Sequence, residues 1–180
     1  EACIELAARE GVPEVLMHAV TDGRDTSPTG ARAYLREAER WLRHAGRIGT
    51  VSGRYWAMDR DQRWERTKLA YDAIVHGKAP GVDSAASVIE QAYEAGETDE
   101  FIRPVVIGGY DGMYDDDVVL IFNFRPDRVR QLVRALGERD FDEFATGTAP
   151  RLAITTMTAY QAGWGYATAF PPAPPETTIA

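Results

Sequence analysis

The chain has 180 residues, of which 44% are hydrophobic and 27% charged, and its 28 acidic and 20 basic residues give a net charge of −8. These values are typical of a soluble globular domain, and the negative charge argues against binding to nucleic acid or to an anionic membrane. No apolar run of about 18 residues suggests a membrane span. Cys3 is the only cysteine, which excludes an intrachain disulfide and favours a reducing, cytoplasmic location.

Helices and strands are predicted to alternate along the chain. The sequence indicates helices over residues 1–10, 28–46, 64–76 and 84–95 and from residue 126 onwards, with strands over 15–20, 48–52, 104–107, 118–124 and 152–157. Ser27 is the expected N-cap of the second helix, and Pro28 its first residue. Strands that alternate with helices of about ten residues or more predict an α/β three-layer sandwich, with a mostly parallel sheet flanked by helices.

One domain is expected over residues 1–170. Residues 170–178 have the Pro-rich sequence FPPAPPETT. This composition predicts that residues 171–180 form an extended linker. The chain begins without Met in what is predicted to be the middle of a helix. We therefore expect it to be a piece of a longer protein.

Charged residues follow three of the predicted strands. DGRD follows strand 15–20, GRYWAMDRDQRWER follows strand 48–52, and NFRPDR lies at the end of strand 118–124. Because parallel strands end at one edge of a sheet, these loops should meet in one crevice. The arginines that they would bring together are Arg24, Arg54, Arg60, Arg125 and Arg128. Since guanidinium groups bind carboxylate and phosphate through paired hydrogen bonds, the pattern predicts a site for a small ligand that carries both groups.

Structural roles would explain the same residues without a ligand. Asp22 and Asp25 could cap a turn or the next helix, and the arginines of DRDQRWER could form solvated ion pairs with neighbouring aspartates. Trp64 and Tyr71 are expected to be core residues. His18 is expected to be a hydrogen-bonded core residue, with a place in the crevice as the alternative. No histidine lies within metal-ligand spacing of another His or Cys, so no metal site is predicted in this chain.

Four motifs occur in series: HAVTDGRDTSP, GRYWAMDRDQRWER, DEFIRPVVI and NFRPDRVRQL. Together they resemble the cofactor-independent phosphoglycerate mutases over residues 1–170. The resemblance implies a two-domain enzyme, in which a phosphatase-like domain carries a nucleophilic serine and two manganese ions and an inserted domain binds glycerate. This chain would be the inserted domain of a cytoplasmic monomer, with the linker leading to the absent metal-binding domain.

By motif position, the resemblance implies that six residues bind substrate: Arg24, Asp25, Arg54, Arg60, Arg125 and Arg128. Asp25 is also the candidate catalytic proton shuttle, and its alternative role is to orient Arg24. The implied reaction interconverts 3-phosphoglycerate and 2-phosphoglycerate through a phosphoserine on the absent domain. The chain alone is therefore expected to be inactive and to hold no metal.

Two other functions remain open from the sequence. A non-catalytic module that binds small phosphorylated carboxylates would use the same arginines. A single-stranded nucleic-acid binder could stack bases on Trp56 and Trp64, although the net charge of −8 disfavours it.

Overall fold

A computed structural model describes residues 1–171 of the chain. The helices are α1 (Ala2–Arg9), α2 (Ala31–Leu42), α3 (Arg54–Ala57), α4 (Trp64–His76), α5 (Ala85–Glu94) and α6 (Arg130–Gly137), with a 3₁₀ turn at Asp99–Phe101. The strands are β1 (Val15–Thr21), β2 (Gly46–Gly53), β3 (Gly81–Val82), β4 (Val105–Ile107), β5 (Val118–Ile121), β6 (Ala153–Thr158) and β7 (Ala167–Phe170). The predicted α/β class is confirmed. All but the first residue of the predicted linker lies outside the described residues.

The described strands form two sheets where one was expected. The first has the order β1-β2-β4-β3, with β4 antiparallel to β2 and the other neighbours parallel. The second has the order β5-β6-β7 and is entirely parallel. The two-residue β3 and the four-residue β7 were not predicted, because strands so short leave little hydrophobic periodicity in a sequence.

Apolar side chains from the helices pack against both sheets. The predicted stripe of α2 is buried, and Leu35 and Leu42 lie in one core cluster with Val51 of β2 and Ile89 of α5. A second cluster forms where α4 and α6 meet the parallel sheet, and it includes Tyr71. The 3.6-residue apolar period therefore identified the faces of the helices correctly.

Strand β5 is shorter than the predicted strand over residues 118–124. It ends at Ile121 at the edge of its sheet, and its Val118 and Leu120 side chains are exposed, as are those of Phe122 and Phe124 beyond it. The predicted end of the strand at residue 124 was therefore wrong, because residues 122–124 leave the sheet although Phe122 and Phe124 continue the apolar run.

Helix α2 begins three residues later than predicted, at Ala31. Its N-cap position is Gly30, which offers no side-chain oxygen, and the buried Asp99 accepts the Ala31 N–H through Oδ2 at 2.8 Å. A helix start needs an acceptor for its free N–H groups, and here the acceptor comes from 68 residues away. Helix α6 also begins later than predicted, at Arg130, because residues 126–129 form a turn before it.

Close backbone contacts fix the ends of the strands that lead to the predicted site. The Gly53 N–H donates to the Ile102 carbonyl at 2.7 Å, and a Cβ on Gly53 would lie 2.2 Å from the Glu100 carbonyl oxygen. Gly23 has φ +66°, and a Cβ there would lie 2.7 Å from the Glu100 nitrogen. Only glycine permits this approach, so the segments that precede Arg24 and Arg54 are wedged against the same turn.

Candidate anion-binding site

Two cavities of about 280 and 350 Å³ adjoin where β1, β2 and β5 end, and both are lined by Arg54, Met58 and Arg128. We call the pair the arginine cleft. All six predicted site residues line it: Arg24, Asp25, Arg54, Arg60, Arg125 and Arg128. The loops meet there even though β5 belongs to a different sheet from β1 and β2.

Arg54 is the most enclosed arginine of the cleft, with 9% of its side chain exposed at the start of α3. Its Nη1 donates to carboxylate oxygens of Asp22 and of Asp25, the latter at 2.8 Å. Burial acts to lower the pKa of Arg54, but the two carboxylates raise it overall. Its Nε is buried and has no hydrogen-bond partner among residues 1–171. Nη2 also donates no hydrogen bond within residues 1–171, so the guanidinium retains unpaired N–H donors beside its two carboxylate contacts.

Asp25 contacts Arg54 rather than Arg24, so the alternative role of orienting Arg24 has no supporting contact. Arg24 instead lies 3.5 Å from the Glu100 carboxylate, with 64% of its side chain exposed. The Asp25 side chain is 71% exposed. Both loop residues are therefore accessible to a ligand.

Asp127 links the second and third loops. Its Oδ2 accepts from Arg60 at 3.0 Å and from Arg125 at 3.3 Å. Burial acts to raise the pKa of Asp127, but the hydrogen bond from Arg60 and the charges of Arg125 and Arg60 lower it overall. One carboxylate thus holds two exposed arginines, which leaves this corner with an excess of positive charge.

Arg128 has cationic neighbours and forms no ion pair within residues 1–171, and the charge of Asp127 offsets those neighbours only in part. Its one hydrogen bond within residues 1–171 is from Nη1 to the Met58 carbonyl at 3.4 Å, and no carboxylate there forms an ion pair with it. Its pKa is lowered, first by burial and then by the charges of Arg54 and Arg60. An anion bound here would relieve this unfavourable environment.

The alternative of local ion pairing fits Arg63 but not Arg60. Arg63 donates to Asp59 at 3.3 Å and to Asp61 at 2.5 Å, both within its own loop. Arg60 reaches instead to Asp127, 67 residues away.

The side chains predicted to be structural lie in packed surroundings. Tyr71 is buried, and Trp64 packs edge-on against Phe141 with ring centroids 5.4 Å apart. His18 is hydrogen-bonded to the Thr50 hydroxyl at 3.0 Å, does not line the cleft, and has a pKa lowered by burial to about 4. These contacts support the core roles expected for the three residues.

The acids that pair with the arginines of the cleft were not predicted as site residues. Asp22 was considered only as a cap, while Glu100 and Asp127 were quoted within motifs without a role. The sequence contained a weak signal for Asp22 and Asp127, because each lies within two residues of a motif arginine. Their partners, however, depend on contacts between distant segments.

Residues 1–171 contain no group of three or more His, Cys, Asp or Glu side chains arranged to hold a metal ion. These residues therefore do not provide a site for the two manganese ions, which the resemblance assigns to the other domain. No helix in this part of the chain has the length and apolar character required to cross a bilayer.

The fold and the site define an α/β domain with an arginine-rich cleft. Residues 1–162 match the family described as the BPG-independent PGAM N-terminus. The chain belongs to this family of 2,3-bisphosphoglycerate-independent phosphoglycerate mutases.

Relatives with this name cover nearly all of the chain. The protein of Sulfurimonas denitrificans is 43% identical over 175 residues, which are 97% of this chain and 35% of that protein. The protein of Symbiobacterium thermophilum is 50% identical over 163 residues, 88% of this chain and 32% of that protein. A crystal structure of Leishmania mexicana phosphoglycerate mutase at low cobalt concentration matches with a TM-score of 0.90 and 29% identity, over 95% of this chain and 34% of that one. The chain spans about a third of the length of these relatives.

Proposed function

We propose that residues 1–170 form the substrate-binding domain of a phosphoglycerate mutase, which interconverts 3-phosphoglycerate and 2-phosphoglycerate in the cytoplasm as a monomer. The observation that carries this proposal is Arg128, a half-buried cation beside Arg54 and Arg60 with no acid of its own among the described residues. A ligand with a carboxylate and a phosphate supplies the missing negative charge.

The cleft offers the ligand two kinds of cation. Arg128 can bind an anion without giving up an ion pair. The other cations are exposed and form ion pairs with acids of the chain at N–O distances of 3.0–3.5 Å; they are Arg24, Arg60 and Arg125. Because exposed ion pairs contribute little free energy, these arginines can exchange their acids for ligand oxygens at small cost in stability. In the proposed reaction glycerate must stay bound while its phosphate is on the other domain, and several separate guanidinium contacts can retain it throughout.

Asp25 is the proposed proton shuttle of this domain. Its Oδ2 accepts from Arg54 at 2.8 Å, while Oδ1 accepts no hydrogen bond among residues 1–171. The buried Arg54 fixes the carboxylate, and its exposed oxygen can take a proton from a glycerate hydroxyl and return it. The serine nucleophile and the manganese ions are assigned to the part of the protein outside this chain, so the domain alone has no mutase activity.

The proposal is tested by calorimetric titration of the chain with 3-phosphoglycerate and, separately, with a single-stranded oligonucleotide at low salt. We expect one binding site for 3-phosphoglycerate, and a loss of about tenfold to a hundredfold in affinity in Arg128→Gln, since a charge-assisted hydrogen bond contributes about 1.5–3 kcal/mol. Arg40→Gln removes an equal charge from an exposed pair on α2 and should bind normally. Equal affinities of the two variants, or binding of the oligonucleotide alone, would overturn the proposal.

Mutase activity separates an enzyme domain from a non-catalytic binding module. A full-length family protein that contains this domain should interconvert the two phosphoglycerates and lose activity with Arg128→Gln. Binding without any activity in the full-length protein would favour the module.

A further inference from the structure

A buried polar cluster extends from the wall of the arginine cleft into the fold, and Asp59 is its member in that wall. Asp59, with 3% of its side chain exposed, accepts the backbone N–H groups of Asp61 at 3.0 Å and Arg63 at 2.9 Å. The Gln131 side chain of α6 donates from Nε2 to Asp59 at 3.1 Å and to Thr67 at 3.0 Å. The cluster therefore joins the loop that carries Arg60 to α4 and α6.

Gln131 also fixes a strained point of this loop. Gln62 has φ +60°, a left-handed conformation that side chains other than glycine, asparagine and aspartate rarely adopt. Its N–H donates to Gln131 Oε1 at 2.8 Å. A strained residue persists only where its surroundings hold it. Here the buried amide of Gln131 binds the strained Gln62 through its oxygen and the neighbouring Asp59 through its nitrogen.

A ligand would affect the contacts of the Arg60 loop in different ways. The Arg60 bond to Asp127 is solvent-exposed, and a ligand that recruits Arg60 weakens or breaks it. Asp59 lines the cleft, but only 3% of its side chain is exposed, and Gln131 is buried and does not line the cleft. We therefore expect a ligand to leave the bonds of Gln131 to Asp59 and Gln62 in place. The loop then depends mainly on the buried contacts of Asp59 and Gln131 for its position.

We infer that Gln131 and Asp59 are positioning residues, which hold the loop at residues 58–63 so that Arg60 and Arg128 face one ligand. The inference rests on the proposed function. Preorganisation spares the ligand the cost of ordering the loop and its arginine. Gln131 acts through Arg60 and does not itself touch the ligand.

The test compares Gln131→Met with a matched control, Tyr110→Phe. The first keeps the side-chain volume and removes the amide contacts, while the second removes the buried hydrogen bond from the Tyr110 hydroxyl to the Ile74 carbonyl, away from the cleft. Both variants should lose stability. In titrations with 3-phosphoglycerate, only Gln131→Met should weaken binding, by about tenfold. If Gln131→Met does not fold, Thr67→Val removes one anchor of the amide and should weaken binding by about threefold.

A double-mutant cycle with Arg60→Ala distinguishes positioning from a general loss of stability. If Gln131 acts through Arg60, adding Gln131→Met to Arg60→Ala should change the affinity by less than about twofold. A second tenfold loss in that background, or an affinity of Gln131→Met equal to that of Tyr110→Phe, would overturn the inference while Arg60→Ala still supports the proposed function. If neither the wild-type chain nor any variant binds 3-phosphoglycerate, the proposed function and the inference fail together.

Discussion

Arg60 and Asp127 are 67 residues apart in sequence and are joined by a 3.0 Å hydrogen bond from Nη1 to Oδ2. The bond places a cation of the second loop beside the third. Because both side chains are partly exposed, the bond itself stabilises the fold by no more than about 1 kcal/mol. Arg60 is therefore available to a ligand.

Replacing Arg60 should affect binding far more than folding. We expect Arg60→Ala to weaken 3-phosphoglycerate binding by about tenfold to a hundredfold, while the melting temperature changes by less than about 3 °C. Arg60→Lys should also bind poorly, because lysine lacks the two-pronged donor arrangement. Calorimetry and thermal unfolding measure the two effects, and normal binding by Arg60→Ala would remove Arg60 from the site.

Replacing Arg54 should instead destabilise the fold in a pH-dependent manner. Arg54→Met leaves Asp22 and Asp25 together without their shared cation, and we expect a loss of about 2–3 kcal/mol at pH 7. Burial acts to raise the pKa of Asp22, but the hydrogen bond from Arg54 lowers it overall, so Asp22 stabilises the wild-type fold above its unfolded pKa and loses this effect as the pH falls through its folded pKa.

The difference in unfolding free energy between Arg54→Met and wild type should therefore shrink below about pH 4, as the pH falls toward the lowered pKa of Asp22. Denaturant unfolding at pH 7 and pH 3.5 measures it. A difference that stays constant over this range would contradict the proposed clamp.

The strand exits and the arginines could be predicted because they depend on local patterns. Apolar runs located β1 and β2, and charged motifs directly after them pointed to Arg24 and Arg54. The late start of α2 could not be predicted, because its cap, Asp99, approaches only after the chain has folded. The acids opposite the arginines escaped prediction for the same reason, since Asp127 meets Arg60 only through tertiary packing.

A methyl group at Gly53 should disturb both the fold and the site. In Gly53→Ala the new Cβ would lie 2.2 Å from the Glu100 carbonyl oxygen, so the backbone must move, at an expected cost of about 2–3 kcal/mol. Because Arg54 follows directly, binding of 3-phosphoglycerate should weaken as well.

Gly165→Ala is the matched control for Gly53→Ala. No atom lies within 4 Å of the position that its new methyl group would occupy, so its stability should stay within about 1 kcal/mol of wild type. Equal unfolding midpoints for the two variants would show that Gly53 is not wedged against the turn.

His18 should make the fold less stable in mild acid. Burial lowers its pKa from 6.5 to about 4, so between these values the unfolded chain binds a proton that the folded chain excludes. The free energy of unfolding should fall by about 1–3 kcal/mol from pH 7 to pH 4 through this residue. In His18→Asn, whose amide can still reach the Thr50 hydroxyl, this part of the fall should disappear. An unchanged pH profile would argue against a buried neutral imidazole.

The position of a bound ligand tests the central claim most directly. A crystal structure of the chain with 3-phosphoglycerate should show the ligand in the arginine cleft, with its oxygens on Arg128 and Arg60 and the Arg60 bond to Asp127 lengthened or broken. A ligand bound on another face, with the cleft arginines still paired to their own acids, would contradict the account.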